Sequence, residues 1–201
     1  MKKIHRIVIT GGPCAGKTSA FVKIEEELTK KGYKVFVMPE TFSELNNAGV
    51  VVEEYPTLEF QKLLLDMQIA KEEIYYDAAM KHKNDNVVIL YNRGVMDPIA
   101  YMNKTLARLL IDLSGHRENV LKNRYDAVIH LVTAADGLEE VYAENREKNK
   151  NRYATVEQAI TVDKALISEW TGHSCLRIIY NNEDFDAKLD SVMDEIYKII
   201  S

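Results

Sequence analysis

Residues 8–19 read VITGGPCAGKTS, and no other stretch restricts the fold of this chain as tightly. Gly11, four residues, then Gly16-Lys17-Thr18 is the spacing G-x-x-x-x-G-K-[ST]. That spacing has chemistry only in one local setting. A strand must deliver the glycine-rich turn, and a helix must begin at its end, so that backbone N–H groups and the helix dipole meet an anion. Both flanks are present. Residues 4–10 are a short run rich in β-branched side chains, and from Lys17 onward Phe21, Ile24 and Leu28 share one helical face until Gly32. The spacing therefore predicts a cradle for a nucleoside triphosphate, formed by Gly11, Gly12, Pro13, Cys14, Ala15, Gly16, Lys17, Thr18 and Ser19. Lys17 is expected at the β- and γ-phosphates and the Thr18 hydroxyl at Mg2+. Cys14 reads as a small loop residue rather than a nucleophile.

The rest of the chain alternates. Apolar strands are expected over residues 35–38, 87–91, 127–132 and 176–180. Helical periodicity covers 58–82, 98–113, 138–148 and 156–170, with a last helix after Asn182-Glu183-Asp184. Residues 40–57 read as an irregular loop. Strands that are apolar throughout and alternate with helices belong to a parallel sheet covered on both faces, an α/β fold. With 201 residues and no repeat or linker, the chain is expected to form a single domain over 1–201, carrying a basic lid at about 138–153.

Charge narrows the partners. A net charge of −5 argues against a nonspecific nucleic-acid binder, which needs a basic surface. The basic N-terminus is followed by an apolar run too short for a signal-peptide core, and no stretch approaches the ~20 apolar residues of a membrane span. Two cysteines, Cys14 and Cys175, give neither a disulfide framework nor metal-ligand spacing. A cytoplasmic protein is expected.

In open parallel sheets ligands collect beyond the carboxyl ends of the strands, and the residues there are informative. Glu40 follows the second strand, where a carboxylate either takes the proton of an acceptor hydroxyl or stands as a solvated loop residue. Asn92 and Arg93 follow the third; Arg93 is placed to grip a phosphate or an acceptor, and Asp97 either to cap a helix opened by Pro98 or to take a catalytic role. Past the fourth strand, Arg146 and Arg152 flank a lysine-bearing stretch that reads either as a lid closing over phosphates or as a solvated helix face. Asn181 and Asn182 end the fifth strand, as an edge for a nucleotide base or, for Asn182, as the cap of the last helix.

These features together resemble the nucleoside and nucleotide monophosphate kinase branch of P-loop proteins. More closely, ITGGPCAGKT, RG..D..AY from Arg93 to Tyr101, RYDAVIHLVTAADG over 124–137 and W.GH from Trp170 to His173 resemble a small family labelled an AAA domain. That family includes the TRPL translocation-defect protein, which binds GTP and phosphoinositide, and is similar to the ribosylnicotinamide kinase domain of NadR. The resemblance covers nearly the whole chain. It implies a three-layer sandwich of P-loop nucleoside triphosphate hydrolase type, with a five-stranded parallel sheet in the order 2-3-1-4-5. It also implies Glu40 as the base and Arg93 as the arginine near the acceptor. The family usually has aspartate, and deoxynucleoside kinases glutamate, where this chain has Asn92, a neutral oxygen ligand for a metal or its water shell. No paired acidic strand ending and no separate helical lid domain accompany the label, which argues against a mechanical ATPase.

The expected activity is transfer of the γ-phosphoryl group of Mg-ATP to a hydroxyl of a small, nucleoside-like acceptor, with GTP as an alternative donor. A rival expectation is a nucleotide-dependent binding module without transfer, and a third is a slow hydrolase with water as acceptor.

Overall fold

The computed structural model describes residues 2–148, 154–182 and 184–201. In chain order the elements are β1 (Lys3–Gly11), α1 (Lys17–Lys30), β2 (Lys34–Met38), α2 (Thr41–Asn47), α3 (Thr57–Lys81), β3 (Asn86–Asn92), α4 (Lys104–Ser114), α5 (Glu118–Lys122), β4 (Ala127–Leu131), α6 (Glu139–Lys148), α7 (Val156–Trp170), β5 (Leu176–Ile179) and α8 (Phe185–Ile200). Short 3-10 turns lie at Val52–Glu54 and Asp97–Tyr101. The strands form one parallel sheet in the order β2-β3-β1-β4-β5, the order the resemblance implied.

Side-chain alternation along the central strands splits the core in two. Ile7, Ile9, Val88, Leu90, Ile129 and Leu131 face one layer, where Ile24 and Leu28 of α1 and Val192 and Ile196 of α8 cover them. Val8, Val87, Ile89, Tyr91 and Val128 face the other, against Leu65 of α3, Leu110 of α4 and Trp170 of α7. Both faces are covered, so most positions of these strands are apolar, which explains the apolar runs in the sequence; the buried exceptions Thr10 and His130 are bonded to Asp97 and Asp163. Burying one such side chain contributes ~1.5–3 kcal/mol, and together they fix the register that sets β1, β3 and β4 level at their carboxyl ends.

The structure corrects four expectations. Residues 41–47 are helical where the sequence suggested an irregular loop; the helix is seven residues long, too short for a periodic signal, and is tied down by Thr41 Oγ1 donating to Gln68 on α3. The helix expected over 98–113 is two elements, because Asn103 takes the N-cap position of α4 and accepts from the N–H groups of Thr105 and Leu106 at 3.1 and 3.0 Å. Asp97 is not a cap: Met96 holds that place, and the Asp97 carboxylate is buried. Asp184, not Asn182, caps α8, accepting from Asp186 N–H at 3.0 Å.

Candidate nucleotide site

The glycine-rich loop leaves β1 at Gly11 and enters α1 at Lys17. Gly16, immediately before the helix, has φ 90°, and a Cβ there would lie 2.7 Å from the Phe185 ring. Only glycine meets both conditions.

Side chains from three other elements brace the loop from below. Gly12 N–H donates to Asp163 Oδ1 of α7 at 2.7 Å, and the same oxygen lies 3.1 Å from His130 Nε2. Thr133 Oγ1, just past β4, donates to the Pro13 carbonyl at 2.5 Å. The Lys188 ammonium of α8 donates to the carbonyls of Ala15 at 3.0 Å and Val132 at 2.8 Å and to Asn181 Oδ1 at 2.8 Å. Burial pushes Lys188 down to about 8. Sequence reading missed Asp163 and Lys188. The available signal was a charge at a core position: Asp163 falls in the buried stripe Ala159, Leu166, Trp170, and Lys188 in the stripe Leu189, Val192, Ile196.

Lys17 itself donates to the carbonyls of Gly11 and Gly12 at 2.8 and 3.0 Å. Burial, with the Arg93 charge adding to it, pushes its ammonium down to about 7. Thr18 and Ser19 stand exposed at the mouth of the loop. Asn92, at the end of β3 opposite Ile9, keeps a buried Oδ1 with no hydrogen-bond partner, and it lines the same cavity as Thr18. No group of three or more His, Cys, Asp or Glu side chains that would hold a metal occurs among the described residues.

Glu40 and Arg93, far apart in sequence, meet at the rim. Arg93 Nε donates to Glu40 Oε1 at 2.6 Å, and Ser43 Oγ donates to Glu40 Oε2 at 2.6 Å. Burial works to raise the Glu40 carboxyl, but the Arg93 guanidinium and the Ser43 hydroxyl outweigh it and hold the group below the usual carboxylate range. Arg93 has φ 71°, a left-handed conformation unusual for a side chain of this size. Its N–H donates to Ile9 O at 3.1 Å and its carbonyl accepts from Gln68 Nε2 at 3.0 Å, two bonds that hold the strained turn in place. Gln68 also accepts from Thr41, the residue after Glu40, at 2.5 Å, so one amide registers both rim groups. Behind it Glu72, fully buried, accepts from Gln68 Nε2 at 3.0 Å and from Tyr125 OH at 2.6 Å. Asp97 accepts from Thr10 Oγ1 and Trp170 Nε1, each at 2.6 Å, and faces Arg93 at 3.5 Å.

One cavity of about 1080 Å³ joins these groups, from the loop through Glu40 and Arg93 to α2 and α3. Asn181 and Asn182 line its other end with Phe185 and with Leu138, Val141 and Asn145 at the start of the expected lid. Asn181 Nδ2 is spent on the carbonyls of Thr133 and Asp136, both at 2.7 Å, which fits a strut more than a base reader. Arg146 is exposed on α6 and is not among the residues lining the cavity. Arg152 lies outside the described residues.

No helix among the described residues is long and apolar enough to cross a membrane. A search of curated proteins returns no match. A family model described as an AAA domain matches residues 6–188, from β1 through the phosphate loop and the sheet to Lys188. The loop, the strand order and a match over most of its length show that the chain belongs to this AAA-domain family of P-loop proteins.

Proposed function

We propose that the protein is a phosphotransferase that moves the γ-phosphoryl group of Mg-ATP, or of Mg-GTP, to a hydroxyl of a small nucleoside-like acceptor in the cytoplasm, working as a single domain. The observation that carries this reading is the ion pair of Glu40 with Arg93, set at the strand ends beside the phosphate loop in one cavity. The acceptor oxygen forms the new O–P bond as the bond between the γ-phosphorus and the bridging oxygen breaks; the acceptor proton passes to Glu40, and the nucleoside diphosphate leaves. Glu40 is ionised at neutral pH because Arg93 holds its carboxyl low, so it stands ready as a proton acceptor. Lys17 faces the transferring phosphate, and Arg93 orients the acceptor beside Glu40. Arg146 and Arg152 would close from the lid.

The Thr18 hydroxyl and the unpartnered Asn92 oxygen fit a hard cation, and they would hold Mg2+ with the phosphates and water completing its shell. When bound, that ion neutralises charge on the β- and γ-phosphate oxygens.

Mass spectrometry of the protein with Mg-ATP or Mg-GTP and a pooled panel of nucleosides and related hydroxyl compounds tests the reading. A product heavier by one phosphoryl group is expected, absent with Lys17→Ala. Tight nucleotide binding with no such product would replace this reading with a nucleotide-dependent binding module. Within a working assay, Glu40→Gln is expected to lower kcat by about 10²–10⁴-fold while nucleotide affinity changes less than about threefold. Wild-type turnover in that variant would remove Glu40 from the mechanism.

Nucleotide binding should also carry a proton signature. The ligand-free Lys17 ammonium titrates at about 7, and a polyphosphate beside it raises that value. Binding then takes up a proton at pH values between the free and bound pKa. Affinity is fully present below the free value and falls as pH rises through it, by up to about tenfold per pH unit above pH ~7. Calorimetry in buffers of different ionisation heat reads this uptake directly; no uptake and a flat affinity would mean that Lys17 is already fully charged in the free loop.

A further inference from the structure

We infer that the acceptor end of the cavity takes an uncharged, hydroxyl-bearing ring compound, without phosphate or carboxylate, that donates a hydrogen bond to Gln61. The inference rests on the phosphotransfer reading for the word acceptor, but its ligand chemistry stands on the cavity itself.

Charge comes first. Among the described residues that line the cavity the cations are Lys17, Arg93 and Lys188. Lys17 belongs to the phosphate loop, and Lys188 is buried against backbone carbonyls. At the acceptor end Arg93 is flanked by Glu40 at 2.6 Å and Asp97 at 3.5 Å, and Lys17, whose charge also reaches both carboxylates, is taken up by the phosphates once nucleotide is bound. One guanidinium between two carboxylates leaves that end with a net negative charge. A phosphorylated or carboxylated acceptor would bring its charge beside Glu40 and Asp97 with no unpaired cation to meet it, and it would lose its hydration on entering.

The walls carry the rest. Phe42 of α2, Val52 of the 3-10 turn and Leu64 of α3 supply apolar surface, and the Phe42 ring is held edge-on by Phe60 at 5.9 Å between centroids. That surface suits the face of a flat ring. Asn46 and Asn47 add neutral amides rather than charges. Gln61 lines the same region and is 7% exposed, yet its Oε1 has no hydrogen-bond partner. A buried carbonyl oxygen left alone is costly, and only a donor, an N–H or O–H, relieves it; an anionic oxygen does not. These positions of α2 and α3 thus read for a neutral donor, while Glu40 and Arg93 address the hydroxyl.

The test is calorimetric titration of the full chain, saturated with a non-hydrolysable ATP analogue and Mg2+, using adenosine, guanosine, cytidine, uridine, their 5′-monophosphates and myo-inositol 1-phosphate. At least one nucleoside is expected to bind ten or more times as tightly as its monophosphate, and inositol phosphate not to bind. Gln61→Leu should weaken that nucleoside tenfold or more and leave affinity for the ATP analogue unchanged. Phe42→Ala, which removes a partly exposed ring from the wall, should weaken it as well. Equal or tighter binding of a monophosphate or of inositol phosphate, or no binding of any of these probes, would overturn the inference. A nucleoside that binds with this preference but is never phosphorylated would uphold the subsite and sink the phosphotransfer reading.

Discussion

Lys17→Ala is expected to lower phosphoryl transfer by about 10³-fold or more while leaving the fold intact. The size follows from what the ammonium does. In phosphoryl transfer the protein contributes chiefly positioning and charge stabilisation, and removing one such group costs about two to five orders of magnitude. The preserved fold follows from what it suffers: Lys17 is recessed in the loop, its charged form already disfavoured by burial and by Arg93. Its two hydrogen bonds go to the carbonyls of Gly11 and Gly12, beside a cavity that water can enter. Losing the side chain therefore removes a strained charge as well as two bonds. Thermal unfolding within a few degrees of wild type, together with lost transfer, is the expected pair of results. Turnover within tenfold of wild type would mean that Lys17 is not at the transferring phosphate.

The backbone of this site was legible because glycine spacing and strand ends are local. Gly11 to Thr18 reports its own conformation, and a parallel sheet sends the ends of β2 and β3 to the same rim, so the sequence alone singles out Glu40 and Arg93. Their mutual ion pair was not. Two residues 53 positions apart meet only because β2 and β3 are neighbours and because the turn at Arg93 is left-handed, a conformation that its sequence does not announce. The groups that hold them were harder still. Gln68 and Glu72 occupy positions of α3 that helical periodicity assigns to the core, as Asp163 does on α7 and Lys188 on α8. Each is a polar group buried with its partners supplied by distant elements, and such partners appear only when the sheet is assembled. Helix α2 was hidden for a different reason. It is one short helix fastened to α3 by long-range contacts, Thr41 to Gln68 and Lys71 to Glu44 and Pro39, that local periodicity does not show.

This division has a mechanical consequence at the loop. Asp163, Thr133 and Lys188 hold the loop backbone against β4 and α8, so the cradle has little room to yield. Gly11 is where the cradle joins the β1–β4 ladder. It pairs with Leu131 in the β1–β4 ladder, has φ 142°, and a Cβ built on it would lie 2.1 Å from the Leu131 carbonyl oxygen. Gly11→Ala must therefore break the ladder or displace the loop. The backbone region costs ~1–3 kcal/mol for a residue with a side chain, and the clash with a fixed carbonyl adds ~1–3 kcal/mol. A loss of about 3 kcal/mol or more corresponds to a fall of roughly 6–12 °C in the unfolding midpoint for a chain of this size. Because the strand end that moves also carries the first turn of the cradle, nucleotide affinity should fall with stability in this variant, unlike Lys17→Ala, where the two separate. Calorimetric unfolding and nucleotide titration on the same sample measure both, and an unfolding midpoint within 2–3 °C of wild type would show that β1 and β4 can part at Gly11 at little cost.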